Sequence, residues 1–275
     1  KQAIDLTKKT VGIMGCGNVG SRVQQKLRAL GISCVVYDPF LQELTDNNTF
    51  VALTTLQQAD ILTLHVPLTT TGQYPTFEMI NAEFLRHLRD DVWLVNTARG
   101  SVIDEIALSY RLLAKPQTQV ILDVWRNEPR INPLLLSHAA LATPHIAGYS
   151  FDGKVRGTEL IYHAICNYFN VIPRWRAQDD LPPAALQILD FSSSLVAQQA
   201  LATAILTSYD IRQDDAKLRL IQQHPQPFAY FDELRKHYPV RREFSCLTLQ
   251  LPESQHEFAR QCTELGFNTR LKSET

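Results

Sequence analysis

Short apolar runs, each closed by glycine, proline or a polar residue, alternate with helix-period segments through the first 150 residues. Val11 to Met14 reads as a strand, and Gly15-Cys16-Gly17-Asn18-Val19-Gly20 follows it directly. The next segment carries Val19, Val23, Leu27 and Leu30 at steps of four, four and three, the period of a helix face, and Gly31 stands where a helix cap is expected. Further strands are predicted at Ser33 to Tyr37, Ile61 to His65, Val92 to Asn96, Val120 to Asp123 and Leu141 to Thr143. Near-continuous apolar strands separated by helices predict a parallel sheet covered on both faces. The expected fold class is therefore α/β, with a doubly wound parallel Rossmann-type sheet over residues 1–150.

A helix is expected from Lys154 to Phe169, with Val155, Leu160, Ala164 and Ile165 on its apolar side. Pro173 and Pro182-Pro183 mark a linker, so residues 151–180 form a connecting segment and residues 181–275 a second unit. That unit reads as small and α+β. It has a helical stretch from about Ala185, an alternating strand from Phe244 to Leu251, a helix from Glu253 to Leu265 capped by Gly266, and a last strand from Phe267 to Leu271.

Charge and composition narrow the functional classes. A net charge of -1 offers no nucleic-acid surface, and no run approaches the roughly 18 apolar residues of a membrane span. Five cysteines, an odd number with no C-x-x-C pair, fit a reduced, cytoplasmic protein. The eight histidines include no H-E-x-x-H motif and no pair at ligand spacing near cysteines, so no metal is expected.

The candidate chemistry sits just past strand ends. Gly15-x-Gly17-x-x-Gly20 opens a helix directly after a strand, the context a dinucleotide fingerprint requires. Free amides there, including those of Asn18 and Val19, suit a pyrophosphate. Asp38 closes the next strand, where an acid meets the adenine-ribose hydroxyls. It would repel a 2′-phosphate, which favours NAD over NADP. Asp123 ends a later strand and either accepts from a nicotinamide amide or closes a turn. Arg99, between Ala98 and Gly100, presents a planar fork suited to a carboxylate. His145 follows Pro144 at a strand end and can take a hydroxyl proton, while Glu128 can fix its tautomer and stabilise the imidazolium. His65, also at a strand end, is its nearest competitor.

The sequences Thr97-Ala98-Arg99-Gly100, Asp123-Val124-Trp125-Arg126-Asn127-Glu128-Pro129 and Thr143-Pro144-His145-Ile146-Ala147-Gly148, with the glycine loop and Asp38, resemble those of the D-2-hydroxyacid dehydrogenases. His145 to Thr158, Tyr209 to Asp215, Phe231 to Lys236 and Arg241 to Phe244 narrow the resemblance to one branch, whose substrate is a small phosphorylated 2-hydroxy acid. The resemblance implies catalytic roles for Arg99, Glu128 and His145. It also implies NAD contacts from Val66, Thr97, Ala98, Arg99 and Gly148, substrate contacts from Tyr149 and Arg99, and a homodimer formed through the C-terminal domain. Val66 stands where the family often has threonine and can offer only backbone groups. Lys154 and Arg156 either meet the substrate phosphate or form the solvated face of a helix. The family begins with a separate substrate lobe, to which Lys154 to Phe169 would be the returning helix. That lobe is expected to be missing here, and turnover by these residues alone is expected to be severely impaired. Two alternatives stay open: another D-2-hydroxyacid dehydrogenase such as a phosphoglycerate dehydrogenase, and an NAD-sensing binding protein resembling the corepressors of this fold.

Overall fold

A computed structural model describes residues 5–45, 49–192 and 196–273. The chain divides into two compact units. One comprises 1–145 and 212–236, the other 146–211 and 237–275.

The first unit is built on a six-stranded, wholly parallel sheet: β1 (Thr10–Met14), β2 (Ser33–Tyr37), β3 (Ile61–Leu64), β4 (Trp93–Asn96), β5 (Gln119–Leu122) and β6 (Leu141–Ala142), in the order β2-β1-β3-β4-β5-β6. Its helices are α1 (Asn18–Ala29), α2 (Pro39–Thr45), α3 (Leu53–Leu56), α4 (Ala82–Arg86), α5 (Glu105–Ala114) and α6 (Pro133–His138). Residues alternate between two apolar clusters, as the period of a strand requires. Val11, Ile13 and Val36 pack with Val23 and Leu27 of α1. Met14, Leu62, Leu64, Leu94, Val120 and Leu122 enter the larger core with Leu56, Leu108 and Leu112.

Helix α1 ends as the sequence predicts. Gly31 has φ +69°, its N–H donates to Arg28 O, and the Ile32 N–H donates to Leu27 O at 2.9 Å. Its expected apolar face holds except at the start. Val19 is 58% exposed, because the first turn stands beyond the sheet edge and Gly20 makes the buried contact there.

Two further helices, α9 (Ile211–Arg219) and α10 (Pro227–Lys236), bring residues 212–236 into this unit. Sequence reading assigned them to a continuous 181–275 domain. Leu218, Ile221 and Phe231 join the large core, and the Asp215 carboxylate accepts from Ala142 N at 2.8 Å beside strand β6. Arg219 donates to Leu136 O and Ala139 O.

In the second unit α7 (Phe151–Tyr168) precedes β7 (Ile188–Asp190), α8 (Ala197–Ser208), β8 (Thr248–Pro252), α11 (His256–Leu265) and β9 (Asn268–Lys272). The strands form a parallel sheet in the order β7-β8-β9. The helical stretch expected from Ala185 is instead strand β7, with the helix starting at Ala197, because pairing with β8 claims residues 188–190. The expected face of α7 is also corrected. Leu160, Ala164 and Ile165 are exposed, and Glu159, Tyr162 and Cys166 lie inward. Tyr162 Oη accepts from Arg174 N and Glu159 accepts from Ala177 N, so polar anchoring of the following segment decides which side is covered. Leu249, Leu251, Phe258, Cys262 and Phe267 are buried, and Phe244 stacks on Phe267 with ring centroids 4.3 Å apart.

Candidate active site

Register places the strand ends in one rank. Met14 is level with Tyr37 and Leu64, Leu64 with Asn96, Asn96 with Leu122, and Leu122 with Ala142. The next residues are therefore neighbours along a single rim: Asp38, Gly15, His65, Thr97, Asp123 and Thr143. Strand order reverses between β1 and β3, and ligands of open parallel sheets bind at such a switch point.

The glycine loop occupies that point. Gly15 has φ +89°, and a Cβ there would lie 2.8 Å from His65 O and 2.9 Å from Val66 Cγ1. A Cβ on Gly20 would lie 1.9 Å from Gly15 O, so helix and turn touch backbone to backbone. Gly17 has nothing within 4 Å of its Cβ position and carries no side-chain cap. Open space above bare amides at the positive end of a 12-residue helix is the cradle a pyrophosphate needs, so these residues fit the NAD phosphates. Asn18 and Val19 supply the first helical amides and are exposed. Asp38 accepts from Cys16 N at 2.8 Å and from Leu41 N at 3.0 Å. The acid expected at the ribose therefore also fixes the loop that faces the phosphates. His65 is no rival to His145. Its ring contacts Thr63 Oγ1 at 3.0 Å, and burial pushes its pKa down to about 4, so it is neutral.

Around Asp123 two loops are locked together. The Thr143 hydroxyl donates to Asp123 Oδ1 at 2.6 Å, His145 N to Asp123 O at 2.7 Å, and Trp125 Nε1 to Thr143 O at 3.1 Å. The Glu128 carboxylate accepts from Trp125 N at 2.9 Å and meets His145 Nδ1 at 2.7 Å. His145 has φ +56°, a left-handed conformation uncommon for a side chain of this size and held here by its neighbours. A carboxylate only accepts, so Nδ1 carries the proton and Nε2 is left as the basic nitrogen. The ring is part-exposed, and Nε2 has no hydrogen-bond partner among the described residues.

Arg99 is exposed beyond β4 and donates to Ala98 O at 2.7 Å. Buried Asn96 shapes its turn by accepting from Ala98 N and donating to Arg99 O. Gly100 fixes the distance to the next loop: a Cβ there would lie 2.0 Å from Trp125 C and 2.4 Å from Arg126 N. Asn96, Gly100 and buried Glu105, which accepts from Arg126 N at 2.8 Å, are supporting residues that sequence reading did not single out. Only the A-R-G run hinted at one of them. Burial raises the pKa of Glu105 despite that amide bond. Gly148 and Tyr149 lie in the second unit, where Lys154 Nζ sits 3.9 Å from the Tyr149 ring centroid. Among the described residues Arg156 has no comparable ring contact. Among the described residues no helix is long and apolar enough to cross a membrane, and no group of three or more His, Cys, Asp or Glu side chains could hold a metal.

Fold, glycine loop and rim together define a dinucleotide-binding oxidoreductase of the Rossmann class. The model for the D-isomer specific 2-hydroxyacid dehydrogenase NAD binding domain matches residues 1–147, and a second model, a domain of unknown function, matches 181–266. Erythronate-4-phosphate dehydrogenase of Marinobacter nauticus is 44% identical over 271 residues, covering 97% of this chain and 71% of the relative. The enzyme of that name from Hahella chejuensis is 41% identical, covering 98% and 71%. The chain therefore belongs to the D-isomer specific 2-hydroxyacid dehydrogenases, in the erythronate-4-phosphate dehydrogenase branch, and is an NAD-dependent enzyme. Among solved structures, D-lactate dehydrogenase of Aquifex aeolicus, complexed with NAD and lactic acid, matches with TM-score 0.51 at 27% identity, covering 62% of this chain and 56% of that one. NAD-bound 3-phosphoglycerate dehydrogenase of Entamoeba histolytica gives 0.53 at 27%, covering 62% and 54%. This chain thus spans little more than half of each solved chain.

Proposed function

We propose that this chain carries the NAD-dependent oxidation of 4-phospho-D-erythronate to 3-hydroxy-2-oxo-4-phosphooxybutanoate, a step in making pyridoxal phosphate. The observation that carries the reading is the His145–Glu128 pair, at 2.7 Å on the carboxyl rim of the sheet, with Nε2 free to accept a proton. Bound NAD supplies the hydride acceptor. His145 Nε2 removes the proton of the C2 hydroxyl, and Glu128 stabilises the imidazolium that forms. Arg99 holds the substrate carboxylate by charge-assisted hydrogen bonds of about 1.5–3 kcal/mol. Tyr149 touches the substrate. Gly15, Gly17, Asn18, Val19 and Gly20 hold the phosphates, Asp38 the ribose, and Val66, Thr97, Ala98, Asp123 and Gly148 the nicotinamide half. The substrate class follows from the names of the relatives and from sequence motifs shared with that branch. A cytoplasmic homodimer, joined through the C-terminal region, belongs to the same reading.

The test is NADH formation from 4-phospho-D-erythronate, against 3-phosphoglycerate and D-lactate. It uses this chain alone and joined to the additional N-terminal lobe of a relative, each with a His145→Ala control. Erythronate-selective turnover abolished by His145→Ala supports the proposal. Equal or greater turnover of 3-phosphoglycerate overturns the substrate assignment, and turnover untouched by His145→Ala overturns the mechanism.

A further inference from the structure

Three stretches that mark the branch have no part in the chemistry just described: Ser150 to Asp152, Tyr209, and Arg241 to Glu243. All lie in the second unit, where they come together. Arg241 Nη2 donates to both Ile146 O at 2.8 Å and Ala147 O at 3.0 Å. Its guanidinium lies over the Tyr209 ring, 4.5 Å from the centroid, and Nη1 reaches Tyr238 Oη at 3.3 Å. The Arg241 carbonyl accepts from Phe151 N at 2.8 Å, in a parallel bridge between Ser150 and Arg241. Arg242 forks onto Asp152 with two bonds of 2.9 Å, Glu243 N adds a third at 3.0 Å, and Arg242 also donates to Pro182 O. The segment Ile146 to Asp152 is thus held at both ends by three consecutive residues that lie about ninety positions further along the chain.

That segment starts at the peptide bond after His145 and contains Gly148 and Tyr149. The Tyr149 ring packs edge-on against Tyr238, with centroids 5.6 Å apart. Two carbonyls pointing at one guanidinium nitrogen form a specific acceptor pair. The pair stands immediately before the exposed Gly148 that leads into Tyr149, so it acts on the backbone that carries that ring. We infer that Arg241 is a positioning residue for hydroxy-acid turnover: it holds the Ile146–Ala147 carbonyls and so sets the placement of Gly148 and Tyr149. The kinetic part of this inference depends on the roles proposed above for those two residues.

The test compares Arg241→Ala and Arg241→Lys with the unaltered protein by amide hydrogen exchange and by kinetics with saturating NAD. Loss of a charge-assisted pair should speed exchange of the Tyr149 amide, which donates to Ile146 O, about tenfold or more in Arg241→Ala, with the β8 and β9 amides unchanged. Misplacement of substrate by about 1 Å should lower kcat/KM about 10²-fold. A single nitrogen serves both carbonyls, so the lysine ammonium can reach at least one of them and should restore part of both effects. Leu251→Ala, a core change in β8 away from these contacts, should destabilise the unit yet leave kcat/KM unaltered. Unchanged exchange at Tyr149 would overturn the inference, as would wild-type kcat/KM in Arg241→Ala or a Leu251→Ala loss of equal size. Kinetics are read on the chain joined to a relative's N-terminal lobe; if that form with unaltered Arg241 turns over no 2-hydroxy acid, the substrate reading fails by itself and exchange alone decides whether Arg241 holds the segment.

Discussion

Gly100→Ala tests how the two loops of the rim are spaced. The added Cβ would stand 2.0 Å from Trp125 C, 2.2 Å from Trp125 O and 2.4 Å from Arg126 N, whereas real Cβ atoms essentially never come within 3.0 Å of such atoms. No flexible side chain can move aside, because the obstacles are backbone. The Arg99 turn and the Trp125–Glu128 loop must therefore separate by about 1 Å, which lies at the upper end of ordinary overpacking and costs roughly 2–3 kcal/mol. A displacement of that size between groups acting on one substrate lowers turnover about 10²-fold. Urea unfolding followed by tryptophan fluorescence reads the first quantity, and kcat for 2-hydroxy-acid oxidation reads the second. Gly17→Ala is the contrasting change, since that Cβ meets nothing within 4 Å. Its stability should stay within about 0.5 kcal/mol of wild type while the Kd for NAD rises about tenfold or more, as the methyl fills the space of the pyrophosphate. Wild-type stability and turnover in Gly100→Ala would refute the close-approach reasoning. An unaltered Kd in Gly17→Ala would refute the cradle.

His65 is neutral in the fold, with a pKa near 4 against 6.5 ordinarily, so the unfolded chain takes up its proton first as pH falls. Stability from this site is intact above pH 6.5 and declines towards pH 4. The loss should be about 2 kcal/mol by pH 5, read as the difference between wild type and His65→Gln in urea titrations, and parallel pH profiles would refute it. Asp38→Ala should raise the Kd for NAD about tenfold or more and narrow the preference over NADP, because it removes both the ribose partner and the acceptor of Cys16 N. Isothermal titration with each nucleotide checks this, and an unchanged preference counts against the assignment. Asp215→Ala removes the acceptor of Ala142 N and the carboxylate paired with Arg219, which keeps its bonds to Leu136 O and Ala139 O, and should cost about 1–3 kcal/mol in thermal or urea unfolding. A loss below about 0.5 kcal/mol would mean that α9 adds little to the first unit.

Much of the first unit was legible because local and global signals agree there. Each apolar run became a strand to within a residue or two, and Gly15, Gly17 and Gly20 occupy the turn, the open face and the helix contact that their spacing indicated. The juxtaposition of Glu128 with His145 could be anticipated from two motifs at neighbouring strand ends, since a parallel register brings such ends level. Other features depend on partners distant in sequence. Val19 fits the helix period yet lies past the sheet edge, and period alone cannot mark where an edge falls. Leu160 and Ile165 read as the inner face of α7, but Glu159 and Tyr162 take that place through bonds to residues 174–177. The tight seat of Gly100 against Trp125 is invisible in a run of letters, because a small residue beside an arginine looks the same whether or not another backbone lies against it. Residues 212–236 carry charges typical of an outer helix, and only Asp215, Leu218 and Phe231 in their folded surroundings reveal where they belong.

The return of α9 and α10 to the first unit has a consequence for synthesis of the chain. Domains commonly fold as they leave the ribosome, amino-terminal part first. Here all six strands of the large sheet have been made by residue 142, but the side chains that finish its core, Phe231 among them, arrive some ninety residues later. The nascent nucleotide-binding unit must wait with part of its apolar surface uncovered while most of the second unit is translated. A gene fragment cut at the end of the family-matched region would leave it in that state permanently.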